Sequence, residues 1–346
     1  MVDDKAGGRM ADWRKLLKAD PTDWLLEESN PSVRYLTLTN ILDRRETNPE
    51  VRRAKADIMR TGMVPRILNR QTKGSWNGPG RFYRDKYKGT VWQLIILAEH
   101  EADGGNKHIR AACGYILRCS QDPESFGFSY DQRGEGQGGR HNEVIPCLTG
   151  NMIWSLLKLG YLGDERVRKG IEWITGYQRF DDGAGEKPMG WPYDRYEMCW
   201  GRHTCHMGVV KALKALSAIP RRQRSEDARQ TISRACEHLL AHHIFRQSHD
   251  LTKVSKPGWL KLQFPLMYQT DILEVAGLLV DLGIRDARMD DALALITSKQ
   301  NDQGRWNLEG TFNGRFWVSI ERKAMPSKWI TYRALKVLKG YHEARG

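Results

Sequence analysis

A repeated glutamine signature constrains what this chain can fold into. At four places a helical stretch ends in Gln and is followed by Gly and an aromatic residue, and a fifth copy near Gln247 lacks the aromatic end. The four legible copies are Gln71–Trp76, Gln121–Phe128, Gln178–Trp191 and Gln300–Trp306. Recurrence of one unit along a chain indicates an architecture of stacked supersecondary units.

Two kinds of helical segment alternate between these signatures. One kind is apolar on most faces and covers residues 31–42, 88–99, 149–159, 205–217, 269–282 and 328–339. The other kind is amphipathic and more charged and covers residues 50–69, 106–119, 165–177, 226–245 and 286–299. A helix that is apolar all round is buried, whereas a helix with one apolar stripe lies at the surface. The alternation predicts an inner and an outer set of helices and almost no strands.

The number of helix pairs predicts the fold class. Six pairs without polar end repeats favour closure into a ring over an open solenoid. We expect an all-α, (α/α)6 toroid that forms a single domain over residues 1–346. The repeats would occupy residues 31–341, and residues 1–30 would form an N-terminal extension whose helix around residues 11–18 closes the outer ring.

The Gln and Trp residues of the signature have a structural interpretation. A Gln side chain can bond the backbone groups that helix ends leave unpaired. An aromatic ring can cover the end of the neighbouring helix. We therefore expect these residues to hold the repeats together rather than to take part in chemistry.

Charge and hydropathy restrict the class of partner. Lys and Arg outnumber Asp and Glu by 55 to 42, which leaves a net charge of +13. The basic residues are dispersed and no zinc-finger, RRM or helix-turn-helix pattern accompanies them, so nucleic acid is disfavoured and a small anionic substrate is favoured. No apolar run approaches the roughly 18 residues of a membrane span and no signal peptide is evident, so we expect a cytoplasmic location. The oligomeric state is left open.

The helix–Gln–Gly–Trp repeat resembles the QW repeat of the squalene and oxidosqualene cyclases, over about residues 30–340. The resemblance implies the helical toroid that those cyclases share with the β-subunits of protein prenyltransferases. It also implies isoprenoid cyclisation or prenyl transfer on a small, partly apolar substrate, although one fold hosts several chemistries. The chain departs from the triterpene cyclases in length, because they have two helical domains and this chain has one.

In such a toroid the inner helices begin at one mouth of a central cavity, so residues near their first turns converge. Cationic side chains there could hold a diphosphate or a carboxylate, and aromatic faces could stabilise a cationic intermediate. The alternatives are surface solvation for the cations and core packing for the aromatic rings. The candidate substrate-binding residues are Lys88, Trp92, Arg202, Tyr268, Arg322, Lys328 and Trp329.

Two inner helices begin with the same Cys-x-x-Gly pattern, at Cys147 and Cys205. With His206 these thiols form a candidate zinc site, because three thiolate or imidazole ligands leave one position open for chemistry. His203 and Cys199 are substitutes in this set. The pattern resembles that of the lanthionine cyclase-like proteins, although an extra residue separates the His from the Gly. The alternative is that the thiols are small residues at a close helix contact and that the imidazole belongs to the core.

Asp271 begins another inner helix and is the candidate catalytic acid, with His203 as the second candidate catalytic residue. The position resembles that of the Asp with which class II terpenoid cyclases protonate an alkene or an epoxide. Only the last residue of their Asp-x-Asp-Asp motif is present. Such an acid needs a pKa raised by burial or a hydrogen-bonded partner. The alternative is a carboxylate that caps the helix.

Three functions therefore remain as hypotheses. The first is an enzyme of the terpenoid cyclase or prenyltransferase type that encloses its substrate in the cavity. The second is a zinc-dependent enzyme that activates a thiol, as the resemblance to the lanthionine cyclases implies. The third is a toroidal binding or scaffold protein without chemistry. A bound isoprenoid would favour the first, stoichiometric zinc the second and a cavity filled by side chains the third.

Overall fold

A computed structural model describes residues 12–76, 78, 80–183 and 185–343 of the chain. A short 3-10 helix, Trp13–Leu16, comes first in these residues. The α-helices of the described residues are α1 Thr22–Leu25, α2 Pro31–Asn40, α3 Pro49–Arg60, α4 Met63–Leu68, α5 Thr90–Glu99, α6 Lys107–Cys119, α7 Pro146–Lys158, α8 Glu165–Tyr177, α9 Glu197–Trp200, α10 His206–Ser217, α11 Glu226–Ala241, α12 Ile272–Asp281, α13 Asp290–Ser298 and α14 Lys328–His342.

In this part of the chain, strands form a single antiparallel hairpin of β1 Arg246–Gln247 and β2 Asp250–Val254. The chain is therefore mostly helical, which confirms the all-α class in its coarse form. No helix among the described residues is long and apolar enough to cross a membrane. The N-terminal helix expected around residues 11–18 is present as the 3-10 helix, while residues 1–11 lie outside the described residues.

Burial separates the helices into the two predicted kinds. Every residue of α5 is buried, as are the first eleven residues of α7. In α3 the buried residues are Val51, Ala54 and Ile58, which lie three or four positions apart on one face. Helices α2, α5, α7, α10, α12 and α14 are the inner elements, and α3, α6, α8, α11 and α13 are the outer ones.

Short polar side chains define where the outer helices begin. Asn48, Asn106 and Asp164 each accept a hydrogen bond from a backbone amide in the first turn of α3, α6 and α8 respectively. Ser225 caps α11 in the same way. Such caps satisfy amides that a helix cannot pair internally. The starts of these helices are therefore encoded locally.

Three of the four signature glutamines connect one outer segment to the next. Gln71 donates from its side-chain amide to a backbone carbonyl in the first turn of α6 at 2.8 Å, and Gln121 does the same in the first turn of α8 at 2.8 Å. Gln300, which follows α13, donates to the backbone carbonyl of Leu16 in the 3-10 helix at 2.9 Å. These three contacts agree with the structural interpretation of the repeated Gln, whereas the side-chain amide of Gln178 donates to the carbonyl of its neighbour Arg179.

Two of the three signature tryptophans connect outer helices to inner ones, whereas the partly buried Trp191 donates to the carbonyl of His141. Trp76 and Trp306 are fully buried, and each indole donates to a backbone carbonyl of the preceding outer segment. The backbone amide of Trp76 donates to the hydroxyl of Thr90, at the start of α5, and that of Trp306 donates to the hydroxyl of Thr331, in the first turn of α14. The Trp therefore fixes the position of the inner helix that follows it.

The N-terminal and C-terminal parts of the chain contact each other among the inner helices and also among the outer ones. Each inner helix from α5 to α14 contacts the next inner helix, and α14 also contacts α2. The Nζ atom of Lys339 in α14 donates to the backbone carbonyls of Asn40 and Ile41, at 3.2 and 3.0 Å, where α2 ends. On the outer side, Gln300 bonds the N-terminal 3-10 helix. These closing contacts support the (α/α)6 toroid, which stays a prediction.

The glycines of the Cys-x-x-Gly motifs lie where α7 and α10 approach closely. A Cβ atom on Gly150 would lie 2.5 Å from the backbone carbonyl carbon of Lys211, and one on Gly208 would lie 3.2 Å from the Pro146 ring. No larger residue fits at the first position without moving a backbone. The glycines of this motif are therefore required by the close contact between α7 and α10.

Candidate functional site

A cavity of about 350 Å³ lies among the inner helices. The last residues of five of these helices line it, namely Asn40, Glu99, Lys158, Ser217 and Asp281. The cavity therefore lies toward the C-terminal ends of the inner helices, whereas the sequence led us to expect a mouth at their N-terminal ends. Trp329 is a predicted substrate-binding residue that lines it.

Buried ion pairs run along the wall of this cavity. The Nζ atom of Lys214 lies 2.7 Å from the Glu99 carboxylate and 3.1 Å from the Glu274 carboxylate. Arg333 lies 2.6 Å from the other oxygen of Glu99, and Lys211 lies 2.7 Å from Glu274. A buried charge is tolerated when it is paired and hydrogen-bonded, and removing one partner leaves the other as an unpaired buried charge. The network is therefore a strongly interdependent part of the core.

The cavity wall keeps charges of both signs at neutral pH. Burial acts to raise the pKa of Glu99, but Arg333 and Lys214 outweigh it and lower that pKa to about 2. Burial likewise acts against the charge on Lys214, yet the carboxylates of Glu99 and Glu274 hold its pKa above the ordinary value. A ligand in this cavity meets fixed positive and negative groups.

Aromatic and aliphatic surface lies between these charges. The Nζ atom of Lys214 lies 3.9 Å from the ring centre of Trp154, a distance at which a cation is attracted to an aromatic face. Trp329 stacks on Phe264 with ring centres 4.2 Å apart. Leu278 adds an aliphatic surface to the wall. The lining therefore suits a molecule that has both apolar and charged parts.

Aromatic side chains fill the region where the mouth was expected. Trp92 is 1% exposed, and its ring centre lies 4.9 Å from that of Tyr83 and 6.3 Å from that of Tyr268. The Nζ atom of Lys88 lies 5.0 Å from the ring centre of Trp317. The structure thus brings Trp92 and Tyr268 together, in the packing arrangement that the core alternative describes.

The other predicted cations have different surroundings from Lys88. Lys328 is buried, and its Nζ atom lies 2.7 Å from a carboxylate oxygen of Glu27. Arg322 is exposed on the loop before α14. Arg202 is exposed and lines a different cleft, beside α11. A single anion site formed by these residues stays a prediction.

Asp271 is a buried N-cap. One carboxylate oxygen accepts a hydrogen bond from the backbone amide of Glu274 at 2.8 Å, and the other accepts one from the amide of Gln263 at 2.9 Å. Burial raises the pKa of Asp271 to about 6, although both amides act in the opposite direction. The raised pKa agrees with what a proton donor needs, while the hydrogen bonds match the capping alternative.

The structure gives the surroundings of each predicted zinc ligand. Burial raises the pKa of the Cys147 thiol, and Cys205 and Cys199 add to the effect, so the three thiols lie near one another. The ring of His206 instead stacks on Trp259, with ring centres 4.1 Å apart. Among the described residues, no three His, Cys, Asp or Glu side chains are already arranged to hold a metal ion. The zinc site of Cys147, Cys205 and His206 therefore stays a prediction.

A second, open cleft of about 1120 Å³ lies beside α11. Arg202 and His203 line it, together with Asp182 and two histidines, His238 and His242. His203 is largely exposed, and its Nδ1 atom lies 3.7 Å from the Asp182 carboxylate. The two α11 histidines were not among the predicted site residues. Their spacing of four residues in a helical pattern was the available signal, because it places both rings on one face.

No protein-family model and no curated protein matches this sequence. Among solved structures, the chain is similar to a variant of the type II terpene cyclase MstE from Scytonema, in complex with its substrate geranylgeranyl dihydroxybenzoate. The two chains are 12% identical, and the match covers 83% of this chain and 97% of the other, with a TM-score of 0.31. At that TM-score the likeness carries no argument about the fold or the activity of this chain.

Proposed function

We propose that the chain is an (α/α)6 toroid whose inner cavity binds a small amphipathic molecule with an anionic group. We further propose isoprenoid cyclisation or prenyl transfer as its chemistry, which the QW-like repeats support. The observation that carries the proposal is the cavity of about 350 Å³, with apolar and charged walls. Its volume lies at the small end of the range of about 300–1,000 Å³ for small-molecule sites.

Two ion pairs at the rim are suited to hold an anionic group. Lys158 lies 2.5 Å from Glu101, and Lys336 lies 2.6 Å from Asp281. The side chains of both Lys are about one-third exposed. Exposed pairs of this kind contribute only about 0–1 kcal/mol, so a carboxylate or diphosphate can replace the side-chain acid at little cost. The deeper pairs of Lys214 are fully buried and stay intact.

The interior of the cavity is suited to an apolar chain that develops positive charge. Trp154, Leu273 and Leu278 supply apolar surface. The low pKa of Glu99 keeps a negative charge in the wall. Fixed carboxylates and aromatic faces stabilise a cation that forms during reaction, because they need no reorganisation at that moment.

Asp271 is the proposed acid; it does not itself line the cavity but caps α12 through the backbone amide of Glu274, which does line it. The Asp271 pKa of about 6 leaves part of the population protonated near neutral pH. An isosteric Asp271→Asn variant keeps a side-chain oxygen for the cap and loses the proton. Turnover that falls about 100-fold with substrate affinity unchanged would support the acid role, since general acids contribute about 10²–10⁴-fold. Unchanged turnover would leave Asp271 as a cap alone.

The binding step is tested by calorimetry on the purified full chain with geranyl diphosphate, geranylgeranyl diphosphate and the uncharged alcohol geraniol. We expect the diphosphates to bind and the alcohol to bind about tenfold more weakly, because a charge-assisted hydrogen bond contributes about 1.5–3 kcal/mol. Lys336→Met should weaken diphosphate binding by a similar factor. Analysis of the extracted mixture then detects any cyclised or transferred product.

Lys299→Met is the matched control. Lys299 forms a similar, partly exposed ion pair with Glu309 at 2.7 Å, outside the cavity, so its loss should leave diphosphate binding unchanged. Equal weakening by Lys299→Met and Lys336→Met, or no diphosphate binding at all, would contradict the proposed site. Binding without any product would favour the hypothesis of a toroidal binding protein.

A further inference from the structure

Two histidines stand one helical turn apart where α11 ends. His238 lies in the last turn of the helix and His242 is its C-cap residue, and they are 6% and 8% exposed. A spacing of four residues puts both rings on the same face. Their ring centres are 4.8 Å apart. This face lines the open cleft beside α11.

Backbone carbonyls fix which nitrogen of each ring carries the proton. The Nδ1 atom of His242 lies 2.8 Å from the backbone carbonyl of Arg246, and because a carbonyl only accepts, Nδ1 must donate. His238 is held in the same way by the backbone of Phe180. Within the described chain, both Nε2 atoms are buried and have no hydrogen-bond partner. The Nε2 atom of each ring is therefore the nitrogen left to face the cluster.

Further side chains that can bind a metal ion lie around these two Nε2 atoms. A carboxylate oxygen of Asp182 lies 3.1 Å from the Nε2 atom of His242. The ring centre of His206 lies 6.1 Å from that of His238 and 5.6 Å from that of His242. Both ring nitrogens of His206 are buried and have no hydrogen-bond partner among the described residues. The cluster is therefore rich in acceptors; Ser248 donates its hydroxyl to Asp182.

We propose that His238, His242 and Asp182 bind one divalent transition-metal ion such as Zn²⁺, with His206 as a further ligand. Two imidazoles on one zinc ion at about 2.0–2.1 Å have ring centres roughly 5–6 Å apart, close to the distances in this cluster. Because no three donors of the described chain already surround one point, binding requires small side-chain movements that bring the donors together and keep the Nδ1–carbonyl bonds.

The chemistry of the surroundings supports an ion over a bound water. Two imidazole lone pairs and a carboxylate are all acceptors, and a water molecule can donate only two hydrogen bonds. Neutral imidazole is the form that binds metals. The carbonyl contacts of Arg246 and Phe180 supply the outer-shell hydrogen bonds that orient metal-binding histidines.

The test uses the purified full chain, stripped with a chelator and titrated with Zn²⁺ against a chromophoric competitor. We expect about one ion per chain. Asp182→Asn and His238→Gln should each weaken binding at least about 100-fold, since even outer-shell changes cost about 10–100-fold. The Co²⁺ form should lack the near-ultraviolet charge-transfer band that a thiolate ligand gives. Circular dichroism and the melting temperature of each variant show that it is folded.

Two control variants locate the ion. His100→Gln removes another buried imidazole whose Nε2 atom has no hydrogen-bond partner in the described chain, but which lies among Phe264 and Trp329. Cys147→Ala removes a member of the thiol group. Both controls should bind zinc as the wild type does. Zinc that is lost with Cys147→Ala and kept with Asp182→Asn, or no zinc bound by the wild type, would overturn the proposal.

Discussion

At the scale of single residues, Asp271 carries opposing effects in one carboxylate. Two backbone amides stabilise its ionised form, and complete burial destabilises that form more. The folded-state pKa of about 6 is therefore above the unfolded value of about 3.9. Because the folded state binds the proton more tightly, the resulting stability is present below the unfolded pKa. It is lost as pH rises through the folded pKa.

This direction of the pH dependence of stability gives a measurable difference between the wild type and Asp271→Asn. Between pH 5 and pH 7 we expect the free energy of unfolding of the wild type to fall by about 1 kcal/mol relative to the variant. Urea denaturation of both proteins at intervals of half a pH unit measures the difference. Groups other than Asp271 titrate equally in the two proteins, so they cancel.

Asp164 provides the control for this comparison, because it is also an N-cap carboxylate. A side-chain hydrogen bond with Arg166 lowers the pKa of Asp164, which is only partly buried. Its contribution to stability is therefore lost only in acid, below the range tested. The free energy of unfolding of Asp164→Asn should change with pH as that of the wild type does from pH 5 to pH 7. If the free energy of unfolding of Asp271→Asn also changed with pH as that of the wild type does, burial would not raise the pKa of Asp271.

At the scale of helices, the contact between α7 and α10 depends on glycine. The Cβ atom of a Gly150→Ala variant would lie 2.5 Å from the Lys211 backbone, so the two helices must separate. Lys211 also pairs with Glu274 in the buried network, so the displacement disturbs the charges of the cavity wall. We expect a loss of about 3 kcal/mol in the free energy of unfolding, at the upper end for overpacking. Chemical denaturation measures this loss.

Gly176 in α8 is the matched position for this substitution. It is exposed, and a Cβ atom built on it meets nothing within 4 Å. Gly176→Ala should therefore stabilise the protein by roughly 0.5–1 kcal/mol, because Ala is the better helix former. Similar effects at Gly150 and Gly176 would show that α7 and α10 are not in close contact in solution.

At the scale of the whole molecule, the sequence predicted the framework better than the site. The two kinds of helix and the contacts of Gln71 and Trp76 follow from patterns that are local and repeated. The position of the cavity depends instead on which ends of the inner helices are filled, and Trp92 and Tyr268, far apart in sequence, fill one end. The cluster of His206 with His238 likewise joins different helices, so a search for ligands around single helix starts could not find it.

Closure of the ring is a property of the whole chain, and Gln300 is the residue that tests it on the outer side. This side chain accepts from the backbone amide of Lys18 at 3.0 Å and donates to the carbonyl of Leu16 at 2.9 Å. Gln300→Ala removes both bonds at a buried position. We expect a loss of about 2 kcal/mol in the free energy of unfolding, together with faster hydrogen exchange of the amides in residues 13–18.

Gln71→Ala distinguishes closure from the general role of the repeated Gln. Gln71 makes the equivalent contact to α6 but is partly exposed, so its loss should cost less than about 1 kcal/mol. It should leave exchange in residues 13–18 unchanged, because that segment lies at the other end of the repeat series. If Gln300→Ala destabilised the protein without faster exchange there, the N-terminal segment would be held by Trp13, whose indole bonds Glu343 at 2.7 Å. Closure would then rest on the core contact between α14 and that segment rather than on the repeated Gln.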